Sequence, residues 1–204
     1  MKIHAILFDL GGVLVRTVDQ ASRDQLAQNL GLTRKELYDL IFNNESARLA
    51  TIGKVTTAEH WKQVRAALNL DEEAFANVPD EFWGGDYLDL ELVDYIRSLK
   101  PKYITALLSN AWDNLRIMLE ENWKISDAFD EIFISAEIGV AKPDPKIFQY
   151  VVEKLKVSPA EAVFVDDFLD NIETARAFGL NVIRFKDPQQ ARAELDRLLA
   201  EPEQ

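Results

Sequence analysis

Acidic side chains follow short apolar segments at two distant points of the chain. Asp9 comes directly after the apolar residues 3–8, and Asp166 with Asp167 comes directly after residues 162–165. Two adjacent carboxylates at the end of a buried strand repel each other, and without a cation one of them must bind a proton or turn to solvent. The adjacent pair therefore favours a cation close by.

A hydroxyl group and an ammonium group lie in two further polar segments. Ser109 and Asn110 follow the apolar segment 103–108, and Lys142 lies in the polar stretch 139–145. Taken alone, a Ser-Asn pair is more often a turn, and a lysine before a proline is more often a solvated surface residue. Lys142 is nevertheless a source of local positive charge, which an anionic substrate needs in a chain of formal net charge −12.

Helix and strand patterns around these segments predict the fold. From about residue 84 onward, strand-like and helix-like segments alternate, which predicts an α/β fold with a Rossmann-like, doubly wound and mostly parallel sheet. Between about residues 19 and 82, apolar residues recur at helical spacing only. We therefore predict a core domain of residues 1–15 and 84–204, with residues 16–83 inserted as a helical-bundle cap.

Two threonines in the inserted segment are predicted to be helix N-caps. Thr33 has Glu36 three residues later, which is the spacing of a capping box. Thr57 precedes the apolar residues Trp61 and Val64 at helical spacing. Both positions support a cap made of short helices.

The predicted topology indicates where the polar segments meet. Ligands of doubly wound sheets bind at the carboxyl ends of the strands. Residues 3–8, 103–108 and 162–165 are predicted strands, and each is followed by one of the polar segments. We therefore expect the carboxylates, the hydroxyl and the ammonium group to share a single crevice.

These four segments, in this order and with a helical insertion after the first, resemble the haloacid dehalogenase-like (HAD) hydrolase superfamily in its helical-cap branch. Each segment alone is a weak signal, but the set spans almost the whole chain. The start Asp9-Leu10-Gly11 is similar to that of sugar-phosphate phosphatases with an Asp-x-Gly first motif. The resemblance implies a Mg²⁺-dependent phosphatase that hydrolyses phosphate monoesters of small molecules, such as sugar phosphates, through an aspartyl-phosphate.

The resemblance also implies catalytic roles. Asp9 is the expected nucleophile, whose carboxylate attacks phosphorus. Lys142 is expected to supply fixed positive charge to the phosphoryl oxygens, and Ser109 with Asn110 is expected to donate hydrogen bonds to the same oxygens. Asp170 is expected to hold Lys142 in place and to keep it protonated.

A Mg²⁺ site is implied as well. Asp9 and Asp167 are the expected side-chain ligands, and the backbone carbonyl of Gly11 is the expected third protein ligand. Asp166 either binds the ion directly or orients a metal-bound water. The cation relieves the repulsion between the nucleophile and a phosphate dianion.

Gly11 departs from the pattern of most phosphatases in this superfamily. They carry a second aspartate here as general acid and base, and glycine has no side chain for either task. General acid–base assistance contributes about 10²–10⁴-fold to a rate. Two alternatives follow: a weakly active or non-catalytic protein that binds phosphate for regulation, and a 2-haloacid dehalogenase, in which halide leaves without a proton. The adjacent pair Asp166-Asp167 argues against the dehalogenase.

Composition excludes several other classes. The 204-residue chain has no cysteine and two histidines, which rules out disulfides, thiolate metal sites, cysteine nucleophiles and multi-histidine sites. The acidic excess disfavours nucleic acid as a partner, and no apolar run reaches the ~18 residues that a membrane span needs. We expect a cytoplasmic protein whose partner is a small phosphorylated metabolite, and the oligomeric state is left open.

Overall fold

The structure is a computed structural model that describes residues 2–200. The strands in this part of the chain are β1 (Ala5–Phe8), β2 (Val15–Thr17), β3 (Asp86–Leu88), β4 (Ile104–Ser109), β5 (Glu131–Ile134), β6 (Ala162–Asp166) and β7 (Asn181–Arg184). The α-helices are α1 (Ala21–Asn29), α2 (Arg34–Phe42), α3 (Glu45–Thr51), α4 (Thr57–Leu68), α5 (Glu72–Phe75), α6 (Val78–Trp83), α7 (Leu90–Leu99), α8 (Leu115–Ile117), α9 (Ser135–Ile138), α10 (Pro145–Leu155), α11 (Leu169–Phe178) and α12 (Pro188–Ala200). A π-helical turn covers Met118–Asn122, and 3₁₀ turns cover Ser126–Ala128 and Pro159–Glu161.

Five parallel strands form the central sheet in the order β5-β4-β1-β6-β7. β1 lies in the middle and pairs with β4 on one side and with β6 on the other. The chain progresses outward from β1 in one direction to β5 and then in the other direction to β7, so the sheet is doubly wound with a switch point at β1. The predicted α/β, Rossmann-like fold is confirmed.

Alternate residues of β1 pack on opposite faces of this sheet. Ile6 and Phe8 join a cluster with α7 and α12, whereas Ala5 and Leu7 join a cluster with α10 and α11. A strand that is buried on both faces requires a continuous apolar run, which is what the sequence shows here. Packing on both faces also fixes the position of Asp9, the residue that follows the strand.

Helices α1–α6 form the cap, which has a hydrophobic cluster of its own. Leu26, Leu37, Val64 and Phe82, from four of these helices, are buried in that cluster. The cap therefore packs around its own core instead of borrowing the faces of the sheet. None of the helices within residues 2–200 is long and apolar enough to cross a membrane.

The N-terminal caps of two of these helices test the sequence pattern. Thr33 and Glu36 form the predicted capping box at the start of α2. At α4 the N-cap is Thr56, which forms a capping box with Glu59, and Thr57 is the first helical residue. The predicted N-cap, Thr57, was wrong by one position. Thr56 and Thr57 are both threonines, and only Thr56 has a glutamate three residues later.

A two-stranded antiparallel ribbon joins the core to the cap. β2 pairs with β3, with Val15 opposite Leu88. Arg23 of α1, which is 2% exposed, reaches this ribbon through an ion pair of 2.7 Å with Asp86. Strands of three residues are too short to show an alternating pattern, so the sequence does not reveal the ribbon. The domain boundaries predicted at 15/16 and 83/84 lie beside it and stay a prediction.

Candidate active site

Three polar residues lie at the carboxyl edge of the parallel sheet. Asp9 follows β1, Ser109 ends β4 and Asp166 ends β6, and β1 lies between the other two strands. The backbone N–H of Asp9 donates to the carbonyl of Val165 at 2.9 Å and continues the strand pairing. All three polar residues are buried. The structure thus brings together side chains that lie far apart in the sequence.

Lys142 bridges the two acidic segments. Its ammonium nitrogen lies 2.8 Å from Asp9 Oδ1 and 2.8 Å from Asp166 Oδ2, and it donates to the carbonyl of Leu108 at 2.9 Å. An ammonium group has three N–H donors, so each of them has an acceptor here. Lys142 is 4% exposed, and these contacts fix its charge in the centre of the site.

Asp166 is surrounded by hydrogen-bond donors. Its Oδ1 accepts from the backbone N–H of Phe168 at 2.7 Å, and the side-chain amide of Asn171 reaches both carboxylate oxygens, at 3.1 and 3.0 Å. Because Asp166 is fully buried, these contacts set the orientation of its carboxylate. Asn171 is a site residue that the sequence pattern does not reveal, since an asparagine near a helix start also fits a capping role.

The predicted contact between Asp170 and Lys142 is wrong. Asp170 is exposed, and the carboxylate that lies 2.8 Å from the Lys142 ammonium beside Asp9 is that of Asp166. Neighbouring positions on a helix point about 100° apart, and the first turn of α11 directs Asn171 inward and Asp170 outward. Asp166 therefore holds the lysine in the way that was predicted for Asp170.

Asp9, Asp166 and Asp167 form the carboxylate cluster of the site. Each offers one oxygen, and these three atoms lie within 4.8 Å of one another. Burial raises the pKa of Asp9 to about 7; the positive charge of Lys142 opposes this shift, and the negative charge of Asp166 adds to it. Burial also raises the pKa of Asp167, and the charge of Asp166 adds to that shift. Crowded carboxylate oxygens that resist ionisation are a donor set that fits a hard divalent cation such as Mg²⁺.

Ser109, the last residue of β4, and Asn110, the residue after it, have different surroundings. Ser109 is buried at the end of the strand. The side chain of Asn110 binds the backbone of Lys142: its amide donates to the carbonyl at 2.7 Å, and its Oδ1 accepts from the N–H at 2.8 Å. This side chain therefore holds the lysine segment, and the predicted substrate contact of Asn110 is left to its backbone N–H.

The family assignment covers both the core and the cap. A family model described as haloacid dehalogenase-like hydrolase matches residues 3–179. The chain belongs to the haloacid dehalogenase-like hydrolase family. The family resemblance and the hydrolase class predicted from the sequence are confirmed.

Two curated relatives of this HAD-like hydrolase are similar along most of its length. The D-ribitol-5-phosphate phosphatase of Bacteroides thetaiotaomicron is 29% identical, over 97% of this chain and 98% of the relative. The bifunctional epoxide hydrolase 2 of Rattus norvegicus is 26% identical over 97% of this chain. The chain spans 39% of the length of that second relative, so the similarity concerns one part of a longer protein.

A solved structure shows the same fold. The crystal structure of a HAD family enzyme from Bacteroides thetaiotaomicron, in complex with magnesium and inorganic phosphate, superposes with a TM-score of 0.77 at 25% sequence identity. The match covers 90% of this chain and 94% of the other. The architecture of sheet and cap is therefore that of the family.

Gly11 is the position at which this HAD-like hydrolase departs from the expected phosphatase pattern. It lies in the turn between β1 and β2, and it is exposed. A Cβ atom built on Gly11 would have no atom within 4 Å other than those of its chain neighbours. Glycine is thus not required here by crowding, and the site has room for a larger residue.

Proposed function

We propose that this HAD-like hydrolase is a Mg²⁺-dependent phosphatase that acts on phosphate monoesters of small metabolites. The observation that carries the proposal is the buried ammonium group of Lys142 between Asp9 and Asp166. A fixed cation beside a nucleophilic carboxylate suits the transfer of an anionic phosphoryl group. The ribitol-phosphate phosphatase and the magnesium–phosphate complex among the similar proteins support the same chemistry.

Mg²⁺ would be held by Asp9, Asp167 and the backbone carbonyl of Gly11. Asp166 is assigned to the lysine instead, because its two oxygens already accept hydrogen bonds from Lys142, Asn171 and a backbone N–H. When bound, the ion would offset the repulsion among the carboxylates and the phosphate dianion. Of the two roles considered for Asp166 in the sequence, direct binding of the ion and an indirect role, we therefore propose the indirect one.

Asp9 is the proposed nucleophile of a two-step reaction. One carboxylate oxygen forms a bond to phosphorus while the bond from phosphorus to the ester oxygen breaks, which gives an aspartyl-phosphate and an alcohol. A water molecule then attacks phosphorus, the bond from Asp9 to phosphorus breaks, and inorganic phosphate leaves. The contacts from Leu10 N–H and Lys142 both fall on Oδ1, so Oδ2 is the oxygen that these two contacts leave open.

Gly11 has no side chain that could donate a proton to the departing alcohol, so we propose that solvent supplies it. Substrates whose leaving group needs no proton therefore lose least from this departure. We expect aryl and acyl phosphates to be better substrates than alkyl phosphates. The missing acid at Gly11 is also the feature that supports the alternative, a weakly active or non-catalytic protein that binds phosphate.

Dehalogenase chemistry fits the site less well. Attack of Asp9 on a carbon atom and departure of a halide need neither a proton nor a metal ion. The carboxylate of Asp167 would then lie beside those of Asp9 and Asp166 without a metal ion to offset their repulsion, at an electrostatic cost. The carboxylate cluster therefore favours the phosphatase.

The proposal is tested by turnover of p-nitrophenyl phosphate with Mg²⁺ and its loss with EDTA. Asp9→Asn should abolish this turnover, and Asp170→Asn, which removes an exposed carboxylate nearby, is the matched control. Halide release from 2-chloropropionate without metal would instead indicate a dehalogenase. Binding of orthovanadate with neither activity would indicate a phosphate-binding protein. A panel of phosphorylated sugars and polyols would then identify the preferred substrate.

A further inference from the structure

The segment that follows β4 contacts the catalytic lysine at one end. We call residues 110–114 the β4 loop. The side chain of Asn110 binds the backbone N–H and the backbone carbonyl of Lys142. The N–H of Ala111 donates to Ser135 Oγ at 3.0 Å, and this hydroxyl donates to the carbonyl of Ala111 at 3.2 Å. The first half of the β4 loop is thus tied to the core.

Trp112, the next residue of the β4 loop, enters the hydrophobic cluster of the cap. It is 9% exposed and is a buried member of that cluster although it comes from the core part of the chain. Its ring centroid lies 4.5 Å from that of His60, 5.8 Å from that of Trp61 and 6.1 Å from that of Phe42. Aromatic pairs at such distances stabilise a contact beyond the area they bury. A residue of the β4 loop is therefore packed as part of the cap.

Asp113 adds a polar contact between the β4 loop and the cap. Its Oδ1 accepts hydrogen bonds from the backbone N–H of Thr57, at 3.0 Å, and from the hydroxyl of Thr57. Thr57 is the first residue of α4, where backbone N–H groups have no partner within the helix. A carboxylate at this end is also favoured by the helix dipole. The N-terminus of α4 is thus held by a side chain of the β4 loop.

The turn before α4 approaches the core closely at a second point. A Cβ atom built on Gly53 would lie 2.0 Å from the carbonyl oxygen of Ala136. Ala136 follows Ser135, which is the residue that binds Ala111 of the β4 loop. Gly53 of the cap and the β4 loop therefore both contact the same short stretch of the core, Ser135 and Ala136.

We propose that Trp112 is a positioning residue: it holds the cap against the β4 loop and thereby sets the position of Lys142 and of the neighbouring Ser109 and Asn110. The path runs from the cap residue His60 through Trp112 and back along the β4 loop to Asn110 and Lys142. The steps are packed, covalent or hydrogen-bonded contacts, and energetic coupling between distant sites is carried by contacts of these kinds. The inference rests on the proposed role of Lys142 in phosphoryl transfer, and it adds that docking of the cap sets the position of that lysine.

Replacement of Trp112 tests this coupling through the reaction rate. Trp112→Leu keeps an apolar side chain but removes the ring contacts with the cap. A catalytic group misplaced by on the order of 1 Å can lower a rate about 10²-fold. For Trp112→Leu we therefore expect kcat for p-nitrophenyl phosphate to fall at least about 10-fold, with a smaller change in KM. Trp112→Phe should restore much of kcat because it restores an aromatic ring. Trp123→Leu, the same change at a tryptophan packed against the core cluster, should leave kcat close to the wild-type value.

The polar contact is tested from both of its sides. Thr57→Val and Asp113→Ala should each lower kcat, and the double variant should lose no more than the worse single variant, as expected for two partners of one contact. Thr51→Val is the matched control, because the hydroxyl of Thr51 donates to the carbonyl of Ala47 within α3. A loss of kcat in Thr51→Val equal to that in Thr57→Val would show that the link to the core is not what matters.

Hydrogen exchange supplies a readout that does not depend on activity. The backbone N–H of Lys142 donates to Asn110, so its exchange reports on the far end of the path. In folded Trp112→Leu we expect faster exchange in the peptide that contains Lys142 and unchanged exchange in the peptide from β7. Unchanged exchange together with unchanged kcat would overturn the proposal. An inactive wild-type protein would contradict only the proposed phosphatase function, and the exchange result would still decide the coupling.

Discussion

Gly12 lies directly against Asp167, because a Cβ atom built on Gly12 would be 2.3 Å from Asp167 Oδ2. Gly12 also has a φ of +79°, which glycine adopts far more readily than other residues. The turn after β1 therefore approaches a proposed Mg²⁺ ligand with no space for a side chain between them. The conformation of the turn that carries Asp9 and the position of Asp167 are set together.

Gly12→Ala should weaken Mg²⁺ binding. The new methyl group would displace the carboxylate of Asp167 from its place beside Asp9. Changes to groups that support metal ligands typically weaken metal affinity about 10- to 100-fold, and we expect a rise of this size in the Mg²⁺ concentration for half-maximal activity. Titration of p-nitrophenyl phosphate turnover with MgCl₂ measures it.

Two other glycine variants separate the clash from backbone effects. Gly11→Ala keeps the backbone carbonyl that is a proposed Mg²⁺ ligand, and it changes the same turn at a position where a Cβ atom meets nothing within 4 Å. Gly31→Ala in the cap introduces an alanine at a φ of +68° without a clash, so it reports the effect of the backbone conformation alone. Both should keep the wild-type Mg²⁺ titration. If Gly12→Ala kept it too, Asp167 would have to be removed from the proposed ligands.

Gly11→Asp should restore general acid–base assistance. The space around Gly11 accepts a side chain, and an aspartate there could protonate a leaving alcohol and later activate water. Such assistance is worth about 10²–10⁴-fold in favourable cases, and we expect alkyl phosphates to gain at least about 10-fold in kcat. Aryl phosphates should gain less because their leaving groups need no proton. Equal gains for both classes would show that the missing acid does not limit the reaction.

Asp9→Asn should stabilise the metal-free protein at alkaline pH while it removes activity. The pKa of Asp9 is raised from 3.8 to about 7 on folding, so the folded state binds a proton that the unfolded state has lost. Stability from this group therefore falls as pH rises from about 4 to about 7. Asparagine cannot ionise, so at pH 8 in EDTA we expect a gain of at most about 4 kcal/mol, because the shift of about 3 pKa units corresponds to about 1.4 kcal/mol per unit.

Urea unfolding at pH 8, with EDTA and with MgCl₂, measures this effect. Mg²⁺ should stabilise the wild-type protein more than Asp9→Asn, since the variant has lost a proposed ligand. Asp170→Asn should unfold like the wild-type protein in both solutions, because its carboxylate is exposed. A metal-free Asp9→Asn variant that is less stable than wild type at pH 8 would contradict the unfavourable burial of the Asp9 charge.

The positions of the strand-end residues could be predicted from the sequence because they depend on a simple rule. Apolar runs that are long enough for a buried strand stop abruptly at Asp9, Ser109 and Asp166, and parallel strands place their carboxyl ends at one edge. The parallel sheet and the inserted helices follow from the same alternation of patterns. Local patterns and chain direction were sufficient for this much of the site.

Contacts made by loops could not be predicted in the same way. Asp170 and Asn171 are adjacent and polar, and only the direction of the first turn of α11 decides which of them faces Asp166. Trp112 belongs to the core part of the sequence, yet its side chain packs in the cap, because the β4 loop passes from the core to the cap. Such contacts depend on how distant elements meet in space, which short-range patterns do not encode.

His60 should make the protein less stable as the pH falls. It is fully buried in the cap, 4.5 Å from the ring of Trp112 and 2.7 Å from Ser46 Oγ. Burial lowers its pKa below 6.5, and a backbone carbonyl at Ile41 opposes this shift. The unfolded state therefore takes up a proton more readily than the folded state, and stability is lost as pH falls through about 6.5 toward the folded-state pKa.

His60→Gln removes this titration and should reduce the difference in unfolding free energy between pH 7.5 and pH 5.5, measured with urea. His4→Gln is the matched control, because the side chain of His4, the other histidine of the chain, is 46% exposed and lies 3.3 Å from Glu161. We expect the control to lose stability on acidification as the wild-type protein does. The same loss in His60→Gln would show that another group, and not the buried imidazole beside Trp112, makes the cap sensitive to acid.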